Sequence, residues 1–121
     1  MKNKKRDEAV LTKIRSNQKD ISDGLKKYKI HKPANLSAVD PLVRKGFVMS
    51  VGNIFELTKQ LTDSTLNMLN LDNIMIKQFR DRVFHNYEAT NDLMVLTWIS
   101  YCVRADIISS VNEALRTLQE R

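Results

Sequence analysis

Glycine and proline are scarce in this chain, and that scarcity limits the folds open to it. The 121 residues contain three glycines and two prolines, the residues that most often end helices and form tight turns. Alternation of apolar and polar residues, which marks half-buried strands, is not sustained anywhere, and no internal repeat is visible. The sequence therefore predicts an all-α fold, an antiparallel bundle of four to five helices in one domain spanning residues 1–121.

The first half of the chain divides into two helices and a connection. A first helix is predicted from about Lys5 to Tyr28, because its apolar residues recur at helical spacing. The segment 30–37 is predicted to be a loop. A second helix begins after Asp40, which can cap free backbone N–H groups, with Pro41 in the first helical position. Gly46 and Gly52 inside this helix are expected to allow a neighbouring helix to approach closely.

The second half of the chain predicts two more helices. The polar stretch 62–65 is expected to bend or interrupt the second helix near its end. A third helix begins near Asp72 or Asn73, either of which can cap it. The last helix is predicted from about Asp92 to Leu118, because apolar residues keep helical spacing throughout. Its apolar stripe is wide, which favours burial both inside the bundle and at a subunit interface.

Positive charge is concentrated at the N-terminus. Residues 1–33 hold 11 Lys/Arg and 4 Asp/Glu, whereas the remaining 88 residues hold 9 and 10. Such a segment either attracts polyanions, including RNA and DNA, through counterion release, or is a solvated helix face. No apolar run approaches the length of a bilayer span and no signal-peptide pattern is present, so cytoplasmic location without a membrane partner is expected. Cys102, the only cysteine, is expected to be a buried small hydrophobe.

One dense cluster of reactive side chains occupies residues 79–87, Phe-Arg-Asp-Arg-Val-Phe-His-Asn-Tyr. Arg80 is a permanent, fork-shaped cation that suits phosphate oxygens. His85 exchanges a proton near neutral pH, and Asp81 precedes it by one helical turn, where it can hydrogen-bond a ring nitrogen. Tyr87 offers a hydroxyl group and a stacking surface for a base. No Cys/His spacing typical of a metal site accompanies them, so no metal is expected.

The spacing of these residues restricts how they can act together. Arg80 and His85 are about 140° apart on an ideal helix, and His85 and Tyr87 are nearly opposite. Either the helix ends near His85 and Tyr87 folds back, or two chains pair and contribute residues to one cleft. Taken singly, each residue also has an ordinary structural explanation, such as a surface pair of Arg80 with Asp81 or Glu88.

The pattern Arg80-Asp81-x-x-x-His85-x-Tyr87 resembles the Arg-x-x-x-x-His-x-Tyr signature of the HepT-like HEPN proteins (higher eukaryotes and prokaryotes nucleotide-binding). The order of elements is similar to that family over nearly the whole chain: a basic amphipathic helix, a second amphipathic helix, the motif, and a long C-terminal helix. The resemblance implies a HEPN-like helical domain.

This resemblance also implies a function. The family's toxins are endoribonucleases that need no metal or other cofactor, so His85 would be the general base or acid acting on a ribose 2′-hydroxyl, and Arg80 would stabilise charge on the phosphate. Asp81, Asn86 and Tyr87 would bind or position RNA. The implied partners are RNA, a second copy of the chain, and a cognate minimal nucleotidyltransferase antitoxin. That antitoxin would neutralise the toxin by attaching AMP to Tyr87.

Two other interpretations stay open. The first is a non-catalytic HEPN subunit that partners a nucleotidyltransferase and presents a substrate without cutting RNA. The second is a structural adaptor whose basic N-terminal helix binds nucleic acid or a partner. The adaptor predicts that charge reversal at Lys26, Lys27 and Lys29 matters more than changes at Arg80 or His85.

Overall fold

The computed structural model describes the backbone of residues 2–86 and 90–120 and the side chains of residues 4–83 and 90–120. All regular elements in these ranges are helices, so the all-α prediction is confirmed. The predicted number of four to five helices is wrong, because the described residues form seven. These are α1 (Lys2–Lys27), α2 (Pro33–Ala38), α3 (Pro41–Thr58), α4 (Asp63–Leu69), α5 (Asn73–Asn86), α6 (Asp92–Cys102) and α7 (Ala105–Gln119).

The predicted helix starts at Asp40 and near residue 72 are confirmed by their caps. The Asp40 carboxylate accepts a hydrogen bond from the Leu42 N–H at 2.8 Å, and Pro41 is the first residue of α3. Asp72 caps α5, since its Oδ1 accepts from the Ile74 N–H at 3.0 Å. Each carboxylate pairs a backbone N–H that has no partner within the helix and complements the positive end of the helix dipole.

The end of α1 also has a local cause. Lys29 adopts a left-handed backbone with φ of 53°, and the Ile30 N–H donates to the Leu25 carbonyl at 2.9 Å. Ile30 is buried at 4% exposure. A left-handed residue followed by a buried apolar residue is a common way to end a helix and pair its free carbonyls.

The prediction that residues 30–37 are a loop is wrong in part, because α2 begins at Pro33. Pro33 suits the first position of a helix, because its missing N–H has no partner to lose there. Leu36 in this short helix is 1% exposed, and α2 packs against α6. Burial of one leucine therefore fixes a segment that looks polar in the sequence.

The single helix predicted over 92–118 is wrong, since α6 and α7 are separate. Arg104 between them is extended, with φ −62° and ψ 142°. The side-chain N–H of Gln18 in α1 donates to the Cys102 carbonyl at 2.9 Å, which pairs a carbonyl freed by the break. By length and composition alone residues 92–119 suffice to cross a membrane, a property that core helices of soluble proteins share.

The core lies between α1 and its neighbours. α1 packs against α3 and α7, α3 also contacts α6, and α4 packs against α7. The expectation is wrong for Gly46, because a Cβ built there would have no atom within 4 Å. A Cβ on Gly52 would meet the Phe79 ring of α5 at 3.6 Å, an ordinary contact, and one on Gly24 would lie 2.9 Å from the Phe47 ring. Gly24 is therefore the glycine at the close approach of α1 and α3. Cys102 is 1% exposed, as predicted, and burial raises the pKa of its thiol to about 12.

A buried carboxylate ties α1 to the start of α4. Asp7 is 2% exposed and accepts hydrogen bonds from the Thr62 N–H at 3.1 Å and from the Thr62 and Thr65 hydroxyls at 2.6 Å each. Burial by itself raises the pKa of this carboxyl, but the hydrogen bonds from the two threonines outweigh it and lower the pKa below the usual range. Asp7 therefore stays ionised in the folded protein.

Candidate functional site

Aromatic packing fixes the helix that carries the predicted motif. Phe79 of α5 is 6% exposed, and its ring meets the rings of Phe55 and Trp98 edge to face, with centroids 5.1 and 5.0 Å apart. Each such contact adds about 0.5–1.5 kcal/mol beyond the burial of apolar area. Phe79 thereby packs α5 against α3 and α6 and turns the neighbouring Arg80 toward the edge of that contact.

Arg80, the next residue, lies at the edge of a cleft between α3 and α5. The cleft has a volume of about 230 Å³. Its walls are largely apolar, with Phe55, Ile76, Phe79 and Val83 among them, and Asn53, Glu56 and Arg80 supply the polar groups. A mostly apolar concavity with a few polar groups is the usual form of a small-molecule or nucleotide site. The sequence did not predict the cleft, because half of its lining comes from α3.

The side chain of Arg80 is half-buried, whereas those of Asp81 and Arg82 are exposed. No ion pair between described residues involves Arg80, so the surface pair with Asp81 suggested by the sequence is not formed. Glu88, the other carboxylate that the sequence suggests as a partner of Arg80, lies outside the described residues. Arg82, two residues after Arg80, has the same chemistry but does not line the cleft.

The other motif residues lie at or beyond the end of α5. His85 and Asn86 form its last residues, and their side chains fall outside the described part of the structure. Tyr87 lies outside the described residues altogether. The structure thus positions Arg80 and Asp81 and the backbone at His85 and Asn86. The predicted convergence of Arg80, His85 and Tyr87 remains a prediction.

A polar network holds the chain at Thr90, two residues before the start of α6. The Arg44 guanidinium of α3 donates to the Asp92 carboxylate at 2.8 Å and to the Thr90 carbonyl at 2.8 Å. The Ser37 hydroxyl of α2 donates to the other oxygen of Asp92. This Arg44–Asp92 network fixes both the backbone that follows the motif and the first turn of α6. Sequence reasoning missed it, because its members lie 48 and 55 residues apart.

Electrostatics strengthen the network. The hydrogen bond from Ser37 lowers the pKa of Asp92, and although burial opposes it, the hydrogen bond and charge of Arg44 lower the pKa further. The side chains of Arg44 and Asp92 are only 17% and 25% exposed, so water screens their attraction less than at an open surface. Asp92 also lies in the first turn of α6, where the helix dipole favours a negative charge.

No group of three or more His, Cys, Asp or Glu side chains within the described ranges is arranged to hold a metal. The cleft instead presents the guanidinium of Arg80 beside a largely apolar wall, together with the carboxylate of Glu56, which pairs with Lys59 at 2.9 Å.

Comparison of the chain with protein-family models, with curated proteins and with solved structures found no match.

Proposed function

We propose that this chain is the toxin of a HepT-like HEPN and minimal nucleotidyltransferase pair, an endoribonuclease of the cytoplasm whose active site is formed by Arg80, His85 and Tyr87. The observation that carries the proposal is the position of Arg80. It stands at the start of the motif, half-buried at a cleft, on a helix that Phe79 packs against α3 and α6 and whose last turn contains His85. Motif spacing and the cleft support the same residue independently.

The proposed reaction is an internal transesterification of RNA. His85 removes the proton of a ribose 2′-hydroxyl, and the 2′-oxygen attacks the adjacent phosphorus. The bond from phosphorus to the 5′-oxygen breaks, and a proton passes to that oxygen, so the products are a 2′,3′-cyclic phosphate and a 5′-hydroxyl end. Arg80 stabilises the negative charge that builds on the phosphate oxygens. Asp81, Asn86 and Tyr87 position the RNA, and no metal takes part.

The proposal includes an antiparallel bundle that pairs into a homodimer. A single α5 directs Arg80 and His85 about 140° apart, so a second copy brings the complementary residue to each cleft. Two large apolar side chains support an interface beside α5: Ile74 is 72% exposed and Leu93 is 63% exposed. The double variant Ile74→Glu/Leu93→Glu is expected to be monomeric by light scattering and inactive on RNA. Retention of a dimer in that variant would refute this interface.

The direct test of the enzyme compares wild type and His85→Ala on a single-stranded RNA, with EDTA present throughout. Loss of the imidazole should slow cleavage by roughly 10²–10⁴-fold, the usual contribution of an acid–base group. The products of the wild type should carry cyclic phosphate ends. Equal cleavage by both proteins, or none by either, would favour the non-catalytic subunit that presents a substrate to a nucleotidyltransferase.

A second test concerns the partner. Co-expression with a minimal nucleotidyltransferase should add the mass of AMP to the wild-type chain, and Tyr87→Phe should abolish the adduct, because it removes the accepting hydroxyl. An adduct that persists on the variant would place the acceptor elsewhere.

A further inference from the structure

The C-terminal end of α1 presents three lysines around an aromatic ring. Lys26, Lys27 and Lys29, the α1 lysine cluster, are all exposed, and none forms an ion pair with a described residue. Tyr28 lies among them at 38% exposure, with the Lys27 ammonium 5.3 Å from its ring centre. Unpaired cations beside an exposed aromatic face are the combination by which proteins hold single-stranded nucleic acid.

Tyr28 also lines a groove between α1 and α3. The groove has a volume of about 280 Å³, and its floor is apolar, with Ile21, Val43 and Phe47. Gly46 lines it with open space above, since a Cβ added there would meet no atom within 4 Å. Asp20 also lines the groove, so a phosphate is repelled from its carboxylate and attracted to the α1 lysine cluster.

We propose that this groove and the α1 lysine cluster form a second RNA-binding surface, on the other side of α3 from the Arg80 cleft, with a base against Tyr28 and phosphates on the lysines. The choice of RNA as occupant rests on the proposed function. Charge complementarity supports a polyanion, because the first 33 residues hold 11 Lys/Arg against 4 Asp/Glu. The apolar floor and the exposed ring favour a polyanion with bases over an acidic protein.

The two sites flank a single helix. Gly46 and Ser50 of α3 line the α1 groove, whereas Met49 and Asn53 of the same helix line the Arg80 cleft. A strand that passes from one to the other therefore crosses the outer face of α3, about one helix diameter or ~10 Å. Gly46 carries no side chain to obstruct that path. The surface would hold the part of the RNA that leaves the cleavage site.

The first test is the salt dependence of RNA affinity. For single strands the logarithm of the affinity falls by about 0.7 per neutralised phosphate for each tenfold rise in salt. Neutralising the α1 lysine cluster with Lys26→Gln/Lys27→Gln/Lys29→Gln should therefore reduce the slope by about 2 and weaken binding at low salt. The matched control, Lys5→Gln/Lys13→Gln/Arg15→Gln, removes the same charge from the same helix and should leave the slope almost unchanged. Equal losses in both variants would overturn the inference.

The second test fills the groove. Gly46→Leu places a side chain in open space, so the fold should keep or gain thermal stability while RNA affinity falls at least about fivefold, the lower range for loss of one stacked base. Unchanged affinity would refute the groove as a base site. Polyglutamate should not compete with the RNA, and equal competition would overturn the choice of occupant.

Cleavage separates this inference from the proposed function. The α1 lysine variant should still cleave a dinucleotide, which is too short to reach both sites, and should cleave a long RNA more slowly through a raised KM. If the lysine variant cleaves and binds RNA like the wild type while His85→Ala is inactive, the proposal of a second RNA-binding surface is wrong and the proposal of an endoribonuclease is retained. If His85→Ala cleaves normally while the lysine variant loses affinity, the enzyme is wrong and the surface stands.

Discussion

Removal of Arg44 should destabilise the fold and loosen the chain next to the motif. Among its described partners, the guanidinium donates hydrogen bonds to the Asp92 carboxylate and to the Thr90 carbonyl, at 2.8 Å each. A hydrogen bond to a charged group contributes about 1.5–3 kcal/mol to the free energy of unfolding. Because the two side chains are partly exposed, we take the low end of this range for each bond. Arg44→Met keeps the apolar stem and should therefore lower the free energy of unfolding by about 3 kcal/mol. For a chain of this length that corresponds to a fall in Tm of roughly 10 °C.

A double-mutant cycle measures the pair itself. Urea denaturation of Arg44→Met, Asp92→Asn and the double variant should give a coupling free energy of about 1–2 kcal/mol. The coupling should also depend on pH. The folded pKa of Asp92 is lowered, so its contribution is present above the unfolded pKa of about 3.9 and is lost as pH falls below it. A coupling near zero at pH 7, or one that does not fall as the carboxyl of Asp92 becomes protonated in acid, would refute the argument.

Further predictions concern the helix ends and the core. Asp7 should make the fold acid-sensitive, because its pKa is lowered in the folded protein and its stabilisation is therefore lost as pH falls below about 4. Asp7→Ala should lower the free energy of unfolding at pH 7 by roughly 2–4 kcal/mol in urea denaturation. The stability of this variant should also depend less on pH in acid than that of the wild type. Lys29→Gly should stabilise the fold by about 1 kcal/mol, because glycine adopts the positive φ of this position without steric strain. A loss of stability in this variant would contradict that cause. Gly46→Ala should raise the free energy of unfolding by up to about 1 kcal/mol. Gly24→Ala should be about 1–3 kcal/mol less stable than Gly46→Ala, because its Cβ would lie 2.9 Å from the Phe47 ring. Equal melting temperatures of the two variants would show that the Phe47 ring moves aside without cost.

Local signals in the sequence were enough to find most helix starts. Asp40 with Pro41 and the carboxylate of Asp72 mark α3 and α5, because capping depends on residues only two or three positions away. The break between α6 and α7 has no such signal. No glycine or proline lies there, apolar spacing continues through it, and the Gln18 side chain that pairs the Cys102 carbonyl comes from 84 residues earlier.

The same division holds for the candidate site. The motif spacing predicts a functional role for Arg80. Its half-buried position, however, follows from the packing of Phe79 against Phe55 and Trp98, which come from other helices and lie far away in the sequence. The Arg44–Asp92 network likewise joins residues 48 positions apart. Helix caps and candidate reactive side chains can be predicted from neighbouring residues, whereas contacts between helices that are distant in the sequence cannot.

The cleavage rates of Arg80→Ala and Arg82→Ala test the central claim most directly. The two variants remove the same charge from the same helix, but Arg80 lines the cleft whereas Arg82 is exposed outside it. Arg80→Ala should slow RNA cleavage by roughly 10²–10³-fold, as loss of a group that stabilises the transition state does, and Arg82→Ala should stay within about twofold of wild type. Similar rates for the two variants would contradict the assignment of Arg80 to the active site.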